Sequence, residues 1–184
     1  MNGVLLGVAY VAAVNPARTR LGFPEGSSRR ARWGVVGLGA VLVWAAVLGL
    51  GWVSGPLLDA LEITPETFRI AAGLVAVVAG LAGLWKPRPG EEPGLPGWRA
   101  AIWPVAFPRL LAPEVAALAL TTGSNEGVLA TILAAGVGLG AAVVLAPVRR
   151  GDAADGILEW AGRILAVLLV AVGVFLMIDG IRDV

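Results

Sequence analysis

Two charged residues stand inside an otherwise apolar stretch punctuated by proline: Arg109 and Glu114, within 100–120. A charge at the centre of a bilayer costs ~2.5–3.5 kcal/mol on insertion scales, so one retained there is used or paired. Arg109 suits a solute carboxylate, and Glu114 suits a coupling proton. The plainer readings are a structural ion pair, or a position near an interface where long stems reach water. A spacing of five fits one helical face poorly, but Pro104, Pro108 and Pro113 interrupt the helix around the pair. Glu114 follows Pro113 and so can begin a new helical segment, with its carboxylate at the positive end of the dipole. A second interruption comes at Asn15-Pro16, where Asn15 offers side-chain hydrogen bonds.

What is missing narrows the chemistry further. The chain has no histidine and no cysteine. Imidazole relays, thiolate nucleophiles, thiolate metal sites and disulfides are therefore excluded, and any proton relay must run over carboxylates or water. No phosphate loop, metal cluster or nucleophile–base pair is visible, so a non-enzyme without cofactor is expected. The net charge of +1 gives nucleic-acid binding no electrostatic support.

These residues need a membrane to be understood. Hydrophobic residues make up 58% of the 184 and charged residues 15%, with a mean hydropathy of +0.83. Soluble domains run about 45–50% apolar and about 25% charged. The charges divide the chain into six candidate spans: Asn2 to Asn15, Trp33 to Leu58, Phe68 to Trp85, Ala100 to Leu120, Gly127 to Val148 and Trp160 to Ile178. The first lacks a basic n-region and a small-residue cleavage site and reads as a permanent helix. Thr121–Glu126 reads as a loop, and the proline- and glycine-rich 86–98 as a connector between halves 1–85 and 99–184.

Basic residues alternate from loop to loop. Arg18, Arg20, Arg29, Arg30 and Arg32 precede span two; Lys86, Arg88 and Arg99 precede span four; Arg149 and Arg150 precede span six. The loops after spans two and four have none, and the C-terminal tail has Arg182 alone. Cytoplasmic loops attract Lys and Arg, so a multi-pass protein of the cell's inner membrane is expected, with both termini outside the cytoplasm. Trp33, Trp52, Trp85, Trp98 and Trp160 fall at span edges, as interfacial anchors do; Trp44 and Trp103 are interior exceptions. Arg69, Arg163 and Asp179 read as interfacial charges.

The halves echo each other. Pro16 matches Pro108, Pro24-Glu25 matches Pro113-Glu114, and Arg69-Ile70 matches Arg163-Ile164, followed by Leu74 and Val78 against Leu168 and Val172. Three spans per half would make the halves inverted in the membrane, an organisation of many secondary transporters. Asn2–Val14 would be only about 20 Å of helix, against ~30 Å of hydrocarbon, so both proline breaks are expected at membrane depth, facing the protein interior.

Four segments resemble the MarC family of bacterial and archaeal membrane proteins, within the larger LysE superfamily. Asn15-Pro16 resembles its first-half NP motif, and Phe68-Arg69-Ile70-Ala71-Ala72-Gly73-Leu74 its FRIAGG-type third span. The run from Ile102 through Pro104, Pro108 and Arg109 to Pro113 resembles its PLAIPLLAGP-type fourth span. Gly162-Arg163-Ile164 through Ile178-Asp179-Gly180-Ile181 resembles its last span. Ala17-Arg18-Thr19-Arg20 and Glu114-Val115 depart from the family pattern, which marks a divergent member. The resemblance implies transport of amino acids or ions, with small neutral amino acids associated with some MarC-like proteins.

The expectation is thus an all-α polytopic membrane protein of six helices in two inverted three-helix repeats, with helices one and four interrupted by proline. It would carry a small solute, an amino acid or similar metabolite, by alternating access with a proton as coupling ion. The expected binding residues are Asn15, Pro16, Arg18, Pro104, Pro108, Arg109, Pro113 and Glu114, although Arg18 also serves as a topology charge. The alternatives are a non-transporting scaffold or accessory subunit, and an ion channel. Membrane lipids are the other expected partner, and small-xxx-small spacings such as Gly136/Gly140 suit tight packing within one bundle or a homo-oligomer.

Overall fold

The computed structural model describes residues 2–17, 29–85, 97–145 and 152–184. Six helices account for most of them: α1 (Gly3–Val14), α2 (Arg29–Ala60), α3 (Pro65–Trp85), α4 (Pro113–Glu126), α5 (Val128–Leu145) and α6 (Asp152–Asp183). A 3-10 turn, Gly97–Ala101, and a π-type stretch, Ile102–Leu110, lead into α4. Of the expected connector, 97–98 begin that 3-10 turn; 86–96, Pro24-Glu25 and Arg18 lie outside the described residues.

Four helices are long and apolar enough to cross a hydrocarbon core: Trp33–Ala60, Pro65–Trp85, Val128–Leu145 and Gly156–Asp183. Trp98–Leu110 and Pro113–Glu126 meet the same measure only together, as a pair bent by 70° at its junction, which makes either a broken fifth span or a re-entrant loop. The chain is a multi-pass membrane protein by this measure. α1 is apolar but has 12 residues, about 18 Å. Large apolar side chains face outward all around the bundle, among them Trp52, Leu129, Leu133 and Val167, which suits lipid contact.

The interior is built from small residues. Ala9, Ala12, Ala72, Ala76, Ala134, Ala135 and Ala142 are buried, and Tyr10 is the largest fully buried side chain among the described residues. Lipid tails are as apolar as leucine, so helices associate by close backbone approach and packing. α1 packs on α5, while the 97–110 stretch and α4 pack on α2. Gly39 of α2 admits Val105 and the Ala101 carbonyl, and Gly138 of α5 admits the backbone of Tyr10 and Val11. Farther along α2, Gly51 meets Gly123. Between Gly39 and Gly51 the broken segment therefore climbs about 18 Å along α2. Trp44 stays interior to the span because its Nε1 donates to the Ile132 carbonyl at 3.0 Å.

α3 and α6 form the most extensive pair, running antiparallel. A Cβ on Gly73 would lie 2.6 Å from the Gly173 carbonyl oxygen, and one on Gly173 would lie 2.6 Å from the Gly73 carbonyl oxygen. Gly80 meets Ala166 and Val170 just as Gly180 meets Glu66 and Ile70. The contact is thus centred on Gly73 and Gly173, with Gly80 and Gly180 about two turns away at either end. The glycines set the register, and they were obscured by the abundance of glycine elsewhere.

Gly73→Ala is expected to lower the thermal midpoint in detergent, since overpacking against backbone costs about 1–3 kcal/mol. Gly140→Ala, where a Cβ meets nothing within 4 Å, will not lower it, because helix propensity gains up to about 1 kcal/mol.

Candidate functional site

The breaks arise from local sterics. A residue before proline is driven out of the α region by the proline ring. Trp103, before Pro104, has φ −130 and ψ 121; Phe107, before Pro108, has φ −127 and ψ 134. Ala112, before Pro113, has φ −78 and ψ 159. Three extended residues thus interrupt one span, and the Leu111 N–H reaches back to the Ala106 carbonyl at 2.8 Å. The Phe107–Pro108 peptide is cis. Pro113 occupies the first turn of α4, and Glu114 lies in that turn, at the positive end of the helix as expected. Arg109, Glu114 and Pro108 are half-buried, and Pro113 is exposed. Only the backbone course of Pro104 is described.

At the other break, Asn15 ends α1 in the left-handed region with φ 43 and ψ 74. Asparagine tolerates this conformation where most residues do not. Its N–H reaches the Val11 carbonyl at 3.0 Å, and its Nδ2 donates to the Gly162 carbonyl of α6 at 3.0 Å. The side chain is 6% exposed, and its Oδ1 has no partner. An unsatisfied buried acceptor costs about 1–3 kcal/mol. Pro16 is buried beside it. Val14, just before this break, shares one buried cluster with Val105, Ala106 and Leu110 from the other.

A second polar region was not anticipated. Thr121–Glu126, expected as a loop, continues α4, and the turn to α5 is Gly127 alone, at φ 88. The reason is that the polar side chains of this turn find partners in the bundle. The Thr122 hydroxyl donates to the Leu118 carbonyl at 2.8 Å. It also lies 3.0 Å from the Tyr10 hydroxyl and 2.9 Å from Thr131 Oγ1. Asn125 Nδ2 donates to the Thr121 carbonyl at 2.7 Å. This chain of hydroxyls joins α1, α4 and α5 in the apolar interior. The available signal was a run of polar residues between two apolar segments.

Arg69 and Asp179 are likewise more than interfacial charges. Arg69 Nη1 donates to Asp179 Oδ2 and to Asp183 Oδ2, each at 2.7 Å, and the arginine side chain is 12% exposed. Arg69 Nη2 donates to Asn125 Oδ1. Beside this cluster opens a cleft of about 250 Å³, lined by Leu6, Thr121, Thr122, Asn125, Glu126 and Leu176 as well. The aspartates come from one turn of α6 and the arginine from α3, held together by the glycine contact. By contrast Arg163 is exposed; it pairs with Glu159 at 2.9 Å and lies over the Trp160 ring. None of the described residues expected to bind solute lines this cleft.

No family model, curated protein or solved structure matches the chain.

The hydroxyl chain predicts an asymmetric pair of variants. Tyr10→Phe removes one hydrogen bond and should cost about 1 kcal/mol of unfolding free energy. Thr122→Val, which strips a partner from Tyr10 inside the bundle, should cost more, as a buried donor is left unpaired. Denaturant titration of the purified protein in detergent measures both.

Proposed function

We propose that the protein is a secondary transporter moving a small solute, an amino acid or similar metabolite, by alternating access between two inverted three-helix halves. One observation carries this reading: the chain leaves the helix at Trp103, Phe107 and Ala112 within an apolar segment long enough, with α4, to reach across a membrane. Irregular backbone at membrane depth is tolerated only where protein covers it or water lines it. Exposed carbonyls and the N-terminus of α4 then provide polar groups to a solute. A scaffold would have no use for them.

The exchange of packing partners supports the inverted halves. The first segment of each half lies on the second helix of the other: α1 on α5 through Gly138, and the 97–110 stretch on α2 through Gly39. The third helices pair with each other through Gly73 and Gly173. Asn15 and Pro16 border the solute site from one half. Pro104, Pro108, Arg109, Pro113 and Glu114 border it from the other. The orphaned Asn15 Oδ1 accepts a hydrogen from the solute, Arg109 holds its carboxylate, and Glu114 carries the coupling proton. The resemblance of these segments to MarC proteins points the same way, and the alternation of basic loops puts both termini outside the cytoplasm.

Reconstitution into liposomes with labelled glycine, alanine and serine, with and without a proton gradient, tests the reading. Gradient-dependent flux is expected, and it is lost in an Arg109→Ala, Glu114→Ala double variant. Unchanged flux in that variant removes both residues from the mechanism, and no flux of any small solute overturns transport. Asn15→Gly keeps the left-handed backbone but removes the amide. It should transport at least about tenfold more slowly, if a hydrogen bond to solute worth about 1.4 kcal/mol is lost, with its thermal midpoint within a few degrees of the parent.

A further inference from the structure

The cleft beside Arg69 has more polar groups than holding α3 to α6 requires. A guanidinium carries five N–H donors. Both on Nη1 go to the two aspartates and one on Nη2 goes to Asn125 Oδ1, which leaves Nε and the second Nη2 hydrogen. Among the described residues, Asp179 and Asp183 each engage Arg69 through Oδ2, which leaves the Oδ1 atoms. One carboxylate would neutralise the arginine, so with Asp179, Asp183 and Glu126 all lining the cleft its surplus charge is negative. Independently, Thr121 lines the cleft, is 2% exposed, and has a hydroxyl without any partner. Buried hydroxyls are nearly always hydrogen-bonded, so this one points to a missing ligand group.

The spare capacity is of two kinds. Acceptors lie on α6, and donors lie on α3 and α4. A lone anion would meet two carboxylates, and a lone cation would meet the guanidinium. No group of three or more acidic side chains among the described residues is arranged to hold a metal ion. The volume of about 250 Å³ is below the ~300–1,000 Å³ of pockets for drug-sized ligands, and Leu6 and Leu176 give it an apolar wall.

We propose that this cleft is a binding site for a small zwitterion, its ammonium held by Asp179 and Asp183 and its carboxylate by Arg69 and Thr121. The site is separate from the proline breaks. It sits where the α3/α6 pair meets α4, and an arriving carboxylate meets the Arg69 donors that the aspartates and Asn125 leave over.

Calorimetric titration of the full-length protein in detergent tests this, with glycine and L-alanine as probes and with ethylamine and acetate as their single-charge counterparts. The zwitterions should bind and the single-charge probes should bind about tenfold or more weakly, since each forfeits a charge-assisted pair. Thr121→Val is the decisive variant. It replaces an unbonded buried hydroxyl by a methyl, so folding is preserved or improved, while zwitterion affinity should fall about fivefold. Arg69→Gln should abolish binding, and Arg163→Gln should leave it unchanged. Absence of zwitterion binding, equal binding of ethylamine or acetate, or unaltered affinity in Thr121→Val would each overturn the proposal. Flux in liposomes without such binding would sink this site and leave transport standing; binding without flux would do the reverse.

Discussion

Backbone polar groups in hydrocarbon have no water to turn to, and this architecture depends on how that constraint is met around three prolines. Each X–Pro step forces the preceding residue into an extended conformation. Trp103, Phe107 and Ala112 obey this in turn. The segment cannot face lipid with its hydrogen bonds broken. It is therefore held against α2, where Gly39 lets Val105 and the Ala101 carbonyl approach. Val105, Ala106 and Leu110 are buried, while Trp103 and Phe107 turn outward, with their rings 5.7 Å apart. The break is covered on its polar, interior side and greasy on its outer side.

Two kinds of contact share the work of holding the bundle. Between α3 and α6 the contact is steric, with glycine against glycine backbone. It tolerates little change because no side chain is available to move aside. Around α4 the contact is of both kinds, steric where Gly123 meets the Gly51 backbone of α2 and polar where Tyr10, Thr122 and Thr131 are linked by hydroxyls. Hydrogen bonds can be exchanged one for another at modest net cost. Glycine contacts thus fix α3 on α6 and α4 on α2, and the hydroxyls add a polar tie from α4 to α1 and α5.

The parts legible in the sequence were those that local chemistry decides. Charge positions anticipate the long apolar helices, four or five of which can cross a membrane where six spans were expected, and the proline positions locate both breaks. The parts not legible depend on partners distant in the chain. Thr121–Glu126 looks like a loop because its residues are polar, and only Tyr10 and Thr131 explain why it remains helix. Arg69 looks like an interface anchor because its neighbours in sequence are apolar. Its carboxylates lie 110 and 114 residues away. The α3/α6 contact is registered by glycines, whose significance emerges only when two backbones meet.

α4 is the element that joins these observations. It begins at Pro113, immediately after the break, with Glu114 in its first turn, and ends at Glu126, beside the cleft. Its 14 residues measure about 21 Å, most of the thickness between the two regions. Its N-terminal attachment is a chain already free of helical constraint at Leu111 and Ala112. Its C-terminal attachment is Gly127, a single residue in a backbone conformation that glycine adopts at little cost. Between these ends Val115, Leu118 and Ala119 are buried, and the hydroxyls and amides gather in the C-terminal part, where Thr122 meets Tyr10 of α1 and Thr131 of α5 and Asn125 meets Arg69 of α3. A tilt of α4 toward Arg69 at one end must move Glu114 at the other, because a helix this short does not bend.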